Sequence, residues 1–487
     1  MQMRRFPPHP GARRATSGPL RLAGRCALGL LPFLAACGGP PPPSVVLITI
    51  DTLRADHLGC YCYERGTSPS IDRLADEGAL FERSSATVPR TTQSIASILT
   101  GRYPRGHGAR GLFSILSDAN VTLAEILRAR GFATAAITSN MFLTPEQGFD
   151  QGFDLYDNPR RRWSGNSAAE ITAGALSWLE GRPAGRPFFL WVHYLDPHWS
   201  YQPPPPHDGA FDPEFEGELT VYEDLALNRL TKGAVIFENR LEPRQIEHLI
   251  ALYDGEIAQV DQALAPLLRR VAEIGEPVLT VLTSDHGESL GEHDYHFAHG
   301  EYLYEPELRV PLLFHLPGRI PAGLRIKELS QTIDVAPTIL SLLNIDGLQS
   351  ADGRPLFVPA PTPDGSLQPA PGRSILFAES DFHLIHPENP RYYLPGPAGK
   401  WSAASDGRYK LIHIPRSDRE SIELYDLADD PGETRDLSAD VGAAEVRGSL
   451  LRQLKGFVDY APGSPSAAPD RLDPEKLEQL RSLGYVN

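Results

Sequence analysis

Cysteine is scarce in this chain, and its scarcity removes one class of fold. Only four stand among 487 residues: Cys26, Cys37, Cys60 and Cys62. A bridge between Cys60 and Cys62, two positions apart, would close a strained ring, so no disulfide framework organises the molecule. Long apolar runs are also missing. The apolar stretch near the N-terminus, Ala27 to Ala36, falls far short of the ~20 residues a spanning helix needs. Positive charge is the third deficit, with 46 Lys+Arg against 62 Asp+Glu and a net charge of −16. Residues 1–36 hold six arginines and no acid; without them 40 basic side chains face 62 acidic ones, a net charge near −22. Such a balance excludes nucleic acid as a partner, and an anionic membrane face as a docking surface. An anionic substrate would have to be attracted locally, most simply by a metal cation.

The basic N-terminus followed by a short apolar stretch reads as a targeting segment. Its end, Leu34-Ala35-Ala36-Cys37-Gly38, resembles a bacterial lipoprotein cleavage box. That resemblance implies a signal peptide over 1–36 and a lipidated Cys37 whose acyl chains hold the protein to a membrane of the bacterial cell envelope, on its extracytoplasmic side. Residues 37–43, with Pro40 to Pro43, then form a stiff tether. A plain secretory signal with a coincidental cysteine is the alternative.

What the chain does have is a pair of apolar runs with acidic ends. Val45-Val46-Leu47-Ile48-Thr49-Ile50 runs into Asp51, and Val278-Leu279-Thr280-Val281-Leu282-Thr283-Ser284 runs into Asp285-His286. Continuous β-branched runs read as strands buried on both faces of a parallel sheet, and ligands of such sheets sit beyond the carboxyl ends of the strands. Two carboxylates and an imidazole delivered there make a site for a hard cation. Further runs at 132–137 and 188–192, a capping-box helix start at Thr122–Glu125 closed by Gly131, and a helix over 242–274 complete an alternating pattern. Along that last helix Leu249, Tyr253, Ile257, Val260 and Leu264 recur at helical spacing. The pattern predicts an α/β domain over 44–348 with a mostly parallel sheet. Asp254 and Asp261 on the long helix read as a solvated face. Residues 202–217 read as a loop that could form part of a lid. A proline-rich linker spans 349–372, and 373–487 reads as a small C-terminal α+β subdomain. No internal repeat is evident.

The third piece is Pro89-Arg90-Thr91-Thr92-Gln93-Ser94, a hydroxyl-rich turn opening a short helix that ends before Gly101. A nucleophile at a helix N-terminus would feel the positive end of the dipole, and the free N–H groups there suit the oxygens of a phosphoryl or sulfuryl group. A threonine hydroxyl needs a metal or a base to activate it. Thr91 or Thr92 could equally serve only as the helix cap.

Taken together, these segments resemble the sulfatase-like branch of the alkaline phosphatase superfamily. The resemblance covers residues 44–487. It runs through Ile50-Asp51-Thr52-Leu53-Arg54-Ala55-Asp56, Leu99-Thr100-Gly101-Arg102-Tyr103-Pro104, His193-Tyr194-Leu195-Asp196-Pro197-His198, Thr283-Ser284-Asp285-His286-Gly287-Glu288 and Asp406-Gly407-Arg408-Tyr409-Lys410-Leu411. It implies that 44–348 is a catalytic domain of alkaline phosphatase-like fold, a doubly wound sheet with helices on both faces, with a divalent metal held by Asp51, Asp285 and His286. It also implies a nucleophile at Thr91 that forms a covalent ester, an anion-binding His198, and His299 as an anion-binding or leaving-group residue. The chain departs from true sulfatases at the nucleophile. They carry Cys or Ser there, followed by x-Pro-x-Arg, and oxidise it to formylglycine; Thr91-Thr92-Gln93-Ser94-Ile95 has none of these, and oxidised threonine would be a ketone. Thr52 also replaces the second acid of the sulfatase Asp-Asp pair. Both changes resemble relatives that act on phosphate or phosphonate esters through an unmodified threonine. Carboxylate and imidazole ligation favours Mn²⁺ or Zn²⁺ over Ca²⁺. The expectation is a metal-dependent hydrolase of anionic esters. The alternatives are a sulfuric ester hydrolase, a phosphoryl-group transferase acting on a lipid or glycan, and a non-catalytic anion-binding lipoprotein. A second cation would need ligands from His193, Asp196, His198 and the 293–299 run, which reads instead as a loop of anion-binding and solvated residues.

Overall fold

Seven consecutive buried residues, Ser44–Ile50, form β1 at the centre of the molecule. The computed structural model describes residues 42–158, 168–217, 241–362, 365–380, 400–415 and 420–459. The signal segment, Cys37, Arg160 to Arg162 and parts of the expected C-terminal subdomain lie outside the described residues.

The main sheet has eight strands: β1; β2, Ala79–Phe81; β3, Ala133–Thr138; β4, Leu155–Asp157; β5, Phe188–Tyr194; β6, Val278–Ser284; β7, Leu312–His315; and β8, Leu324–Ile326. Their order across the sheet is β8-β2-β7-β6-β1-β5-β3-β4. Every pairing is parallel except those of β7, which runs against both β6 and β2. β1 lies between β5 and β6, with Ile50 level with both Tyr194 and Ser284. That register decides the site: one residue later, Asp51 and Asp285 leave neighbouring strands side by side.

Successive side chains of a strand point to opposite faces. Val45 and Leu47 accordingly pack with three helices on one face: α2 (Thr91–Thr100), α3 (Leu123–Ala129) and α6 (Val335–Leu342). Val46, Ile48 and Ile50 pack on the other face with α1 (Pro69–Glu77), α4 (Ala168–Gly181) and α5 (Pro243–Ala272). Helices on both faces explain why the central strands carry no polar alternation. The capping box at Thr122 and Glu125 forms as expected.

Two expectations need correction. Asp254 and Asp261 are not solvated but buried. Asp254 accepts hydrogen bonds from Tyr63 (2.7 Å) and Arg65 (2.6 Å) and lies 2.7 Å from His57 Nδ1. Asp261 accepts from Ser70 N and Ile71 N, capping α1 at 2.9 and 2.8 Å. Acids at the positive end of a neighbouring helix are stable inside. The 349–372 segment is more than a linker: Phe357–Pro359 and Leu367–Pro369 pair as a hairpin, and Leu356, Phe357 and Leu367 join the main core. Residues 202–209 are tied to α5, with Gln202 N donating to Glu256 at 2.7 Å.

Beyond the hairpin, β9 (Leu376–Glu379), β10 (Ser402–Ser405), β11 (Tyr409–Pro415) and β12 (Glu420–Asp426) form an antiparallel sheet in that order. The helix α7 (Ala444–Asp459) sets Leu450, Leu454 and Phe457 against Leu411 and Leu424. Tyr103 and Ile333 of the main domain share that cluster, so the C-terminal sheet packs onto the catalytic domain. Among the described residues no helix is long and apolar enough to cross a membrane.

Candidate active site

The ends of β1 and β6 deliver three buried side chains, Asp51, Asp285 and His286, whose ligand atoms all lie within 4.8 Å of one another. Each is oriented by a hydrogen bond on the side away from the group. Asn140 Nδ2 donates to Asp51 Oδ2 at 2.7 Å. Asp285 Oδ1 accepts from His286 N at 2.9 Å and from Thr52 N at 3.3 Å. His286 Nδ1 lies 2.9 Å from the Gly287 carbonyl, which can only accept, so the proton is on Nδ1 and the Nε2 lone pair faces inward. The atoms left over are Asp51 Oδ1, Asp285 Oδ2 and His286 Nε2. Nε2 is 3.8 Å from the first and 3.5 Å from the second. Neither carboxylate oxygen has a hydrogen-bond partner, although both residues are fully buried. Buried anionic oxygens without donors are costly. A divalent cation held by these three atoms removes that cost, so the donor set fits one.

The electrostatics agree. Burial acts to raise the Asp51 carboxyl, but the imidazoles of His193, His198 and His286 outweigh it and bring it down to about 2. Asp285 goes the other way: burial first, then the nearby Asp51 charge, push it up to about 6. Two carboxylates crowded together in a dry site do not both ionise without positive charge between them.

Thr52 follows Asp51 with a φ of +54°, an unusual conformation for a β-branched residue. Tyr253 holds it, donating to the Thr52 carbonyl at 2.7 Å. The turn is further fixed by Leu53 N, which donates to Ser284 Oγ at 3.0 Å.

The nucleophile candidate sits where the sequence places it. Thr91 is the first residue of α2, and its Oγ1 is 3.4 Å from His286 Nε2. Neither threonine is the cap: Arg90 holds that position in extended conformation, and Thr92 Oγ1 donates to Leu112 O at 2.8 Å. Ser94 Oγ donates to the Asp285 carbonyl at 2.6 Å, joining the helix to the tip of β6. The α2 N-terminus therefore opens beside the cation group, with its dipole and amides available to an anion.

Two further imidazoles complete the cluster. The His299 ring is 4.4 Å from that of His286, and the His198 ring is 5.0 Å from that of His299. His198 Nδ1 donates to Trp199 O at 2.6 Å, and His299 Nδ1 lies 3.0 Å from Glu288 Oε1. Both contacts engage Nδ1. Gly300 is held at φ +110°, and any Cβ there would collide with the Arg90 guanidinium, which packs against it. The loop bearing His299 thus lies against the cap of α2.

All six expected residues of the catalytic domain converge here. His293 and Asp196 do not: His293 stacks on Tyr304 at 3.6 Å, and Asp196 accepts from Ala168 N at the start of α4. Three contributors escaped the sequence reading. Glu288 lay unweighed inside the Asp285-His286-Gly287-Glu288 run. Asn140 comes from a loop without pattern. His193 was weighed only as a ligand for a second cation, yet its Nε2 is 3.4 Å from Asp51 Oδ2.

Comparison with known proteins converges on one family. The family model described as Sulfatase matches residues 43–345. An N-acetylglucosamine-6-O-sulfatase of Bacteroides thetaiotaomicron is 25% identical, covering 87% of this chain and 88% of its own. A multifunctional alkaline phosphatase superfamily protein of Trinickia caryophylli is also 25% identical, over 86% and 96%. In fold, the chain is similar to the phosphonate monoester hydrolase of Agrobacterium radiobacter, with a TM-score of 0.70 and 23% identity over 85% of this chain and 95% of that one. With eight strands in the expected mostly parallel order and an acid–imidazole group at their tips, the chain belongs to the sulfatase family of ester hydrolases.

Proposed function

We propose that the chain hydrolyses phosphate or phosphonate esters through a covalent intermediate on Thr91. The observation that carries this reading is the Thr91 hydroxyl, 3.4 Å from His286 Nε2 at the N-terminus of α2, where a formylglycine precursor would otherwise stand. A bound divalent cation, Mn²⁺ or Zn²⁺ in preference to Ca²⁺ for an imidazole-containing donor set, would lower the pKa of that hydroxyl and neutralise an ester oxygen. Asp51, Asp285 and His286 are the residues to hold it.

Thr91, its hydroxyl proton released to solvent, then attacks in line as the alkoxide, and the same alkoxide is what leaves in the second half. The α2 amides and His198 take the charge that develops on the equatorial oxygens. His299, in its protonated form, gives its Nε2 proton to the leaving alcohol, while Glu288 fixes its ring. In the second half, neutral His299 accepts a proton from the water that releases the group from Thr91. Lipidation at Cys37 would keep the enzyme on the extracytoplasmic side of a bacterial envelope membrane.

A second reading is favoured by the sulfatase among the relatives: the same site would cleave sulfate esters with unmodified threonine. Assaying aryl phosphonate, phosphate and sulfate esters with Mn²⁺, Zn²⁺ or Ca²⁺ separates the two. The expected result is faster turnover of the phosphorus esters and a phosphorylated peptide containing residue 91 on rapid acid quench. Undiminished turnover by Thr91→Ala would remove the covalent mechanism. Sulfate preferred over both phosphorus esters would replace the substrate class.

A further inference from the structure

Behind the cation group lies a buried polar chain that neither the family resemblance nor the mechanism accounts for. His193 is fully buried on β5, level with Thr49 of β1. Its Nδ1 is 2.8 Å from Thr49 Oγ1, and Trp191 Nε1 is 2.9 Å from that same oxygen. Its Nε2 forms no hydrogen bond of ordinary geometry, and the acceptor beside it is Asp51 Oδ2 at 3.4 Å.

The proton positions follow from the chemistry of the partners. An indole N–H can only donate, so Thr49 Oγ1 accepts from Trp191. The threonine's own proton then has two destinations: His193 Nδ1 at 2.8 Å or Val192 O at 3.5 Å. The shorter contact is the stronger hydrogen bond. Donation to Nδ1 places the imidazole proton on Nε2, facing Asp51. The other tautomer would aim a lone pair at a carboxylate oxygen in a fully buried place. His198, His286 and His299 are arranged oppositely, each with Nδ1 against a carbonyl or carboxylate oxygen. His193, with Nδ1 on a hydroxyl, differs from all three.

We propose that His193 is a positioning residue that donates Nε2–H to Asp51 Oδ2, as the last link of a Trp191–Thr49–His193–Asp51 chain. Asn140 supplies the second donor to the same oxygen, at 2.7 Å. With Oδ2 occupied twice, Asp51 offers the cation a single oxygen, Oδ1, in one orientation. His193 thereby holds the ligand without being one. The inference rests on the one-cation reading above and deepens it.

Hydrogen-bonding partners of metal ligands typically contribute about 10- to 100-fold in metal affinity. The test titrates the full chain with Mn²⁺ alone, following the free ion by electron paramagnetic resonance. His193→Leu is expected to weaken binding by that factor. His193→Gln, whose terminal amide reaches the ε position with an N–H, is expected to recover most of it. Thr49→Val, which strips Nδ1 of its donor, should fall between. Pulsed resonance on the unaltered, ¹⁵N-histidine-labelled chain should count one coordinated imidazole nitrogen, that of His286. That count needs no variant, so it decides the matter even if His193→Leu fails to fold. Two coordinated nitrogens, or unchanged affinity in His193→Leu, would overturn the proposal while leaving the cation in place. No Mn²⁺ bound by the unaltered chain would overturn the one-cation reading, and this inference with it.

Discussion

Two buried acid centres in this molecule are built on opposite plans. At the junction with the C-terminal sheet, Glu379 is fully saturated. Arg110 binds it twice, at 2.9 and 3.1 Å, Arg105 once at 3.1 Å, and Lys400 Nζ lies 3.6 Å away. Burial acts to raise its carboxyl, but those three cations outweigh it and bring it down to about 2. The Asp51–Asp285 pair is as deeply buried, has no arginine or lysine bonded to it among the described residues, and keeps two oxygens without donors. Folding supplies counter-charge to one centre from within the chain and leaves the other short. An acid centre completed by its own chain is a fastener; one left short of positive charge is a receptor for it.

That contrast can be broken experimentally. The largest expected effect is on turnover: Thr91→Ala and Asp285→Asn should each lower kcat by about 10³-fold or more, the scale of losing a nucleophile or its metal. Only Asp285→Asn should also abolish Mn²⁺ binding. Glu379→Ala should show the reverse, leaving Mn²⁺ affinity intact. It strands three cations, so it should cost about 3–5 kcal/mol of stability in urea unfolding. A loss of cation affinity in Glu379→Ala would erase the distinction.

Next in size is Glu288→Gln, which removes the carboxylate beside His299. It should reduce kcat by about 10²-fold on esters with alkyl leaving groups, which need a proton, and far less on nitrophenyl esters, which do not. Equal losses on both would mean that His299 is not the proton donor.

The smallest effect concerns pH. Glu379 ionises far more readily folded than unfolded, so its contribution is complete above its ordinary value of 4.5 and is lost as pH falls towards about 2. Glu256 runs oppositely. Burial, and then the Asp196 charge, raise it to about 9. The folded chain keeps a proton that the unfolded chain releases near 4.5, so stability falls as pH rises from there through about 9. The slope is at most ~1.4 kcal/mol per pH unit. Glu256→Gln should flatten that alkaline decline in denaturant titrations at several pH values.

The parts of this architecture readable from sequence were those where one property repeats along the chain. Strands covered on both faces must be apolar throughout, so β1 and β6 announced themselves, together with the acids at their tips. Hydrophobic periodicity marks α5 but treats every acid on it as solvent-facing; Asp254 and Asp261 point inward because an imidazole, a phenol, a guanidinium and the end of α1 wait there, hundreds of positions away. Ser402–Ser405 has no strand character of its own and is a strand because β9 and β11 flank it. Asn140 and His193 acquire meaning only through register, which brings residues about 90 and 140 positions later in the chain beside Asp51 and Thr49.

Ser94 gives one last lesson. Its hydroxyl holds the main chain of Asp285 at 2.6 Å, while two amides, Asp352 N and Gly353 N, both clasp the Gly101 carbonyl at the far end of the same helix at 2.9 Å. The Thr91 hydroxyl is therefore mounted on a bar bolted at both ends, one bolt being the backbone of Asp285. A hydroxyl three residues after Thr91 thus ties the helix that carries the alcohol directly to the main chain of the acid, so the two share one mounting.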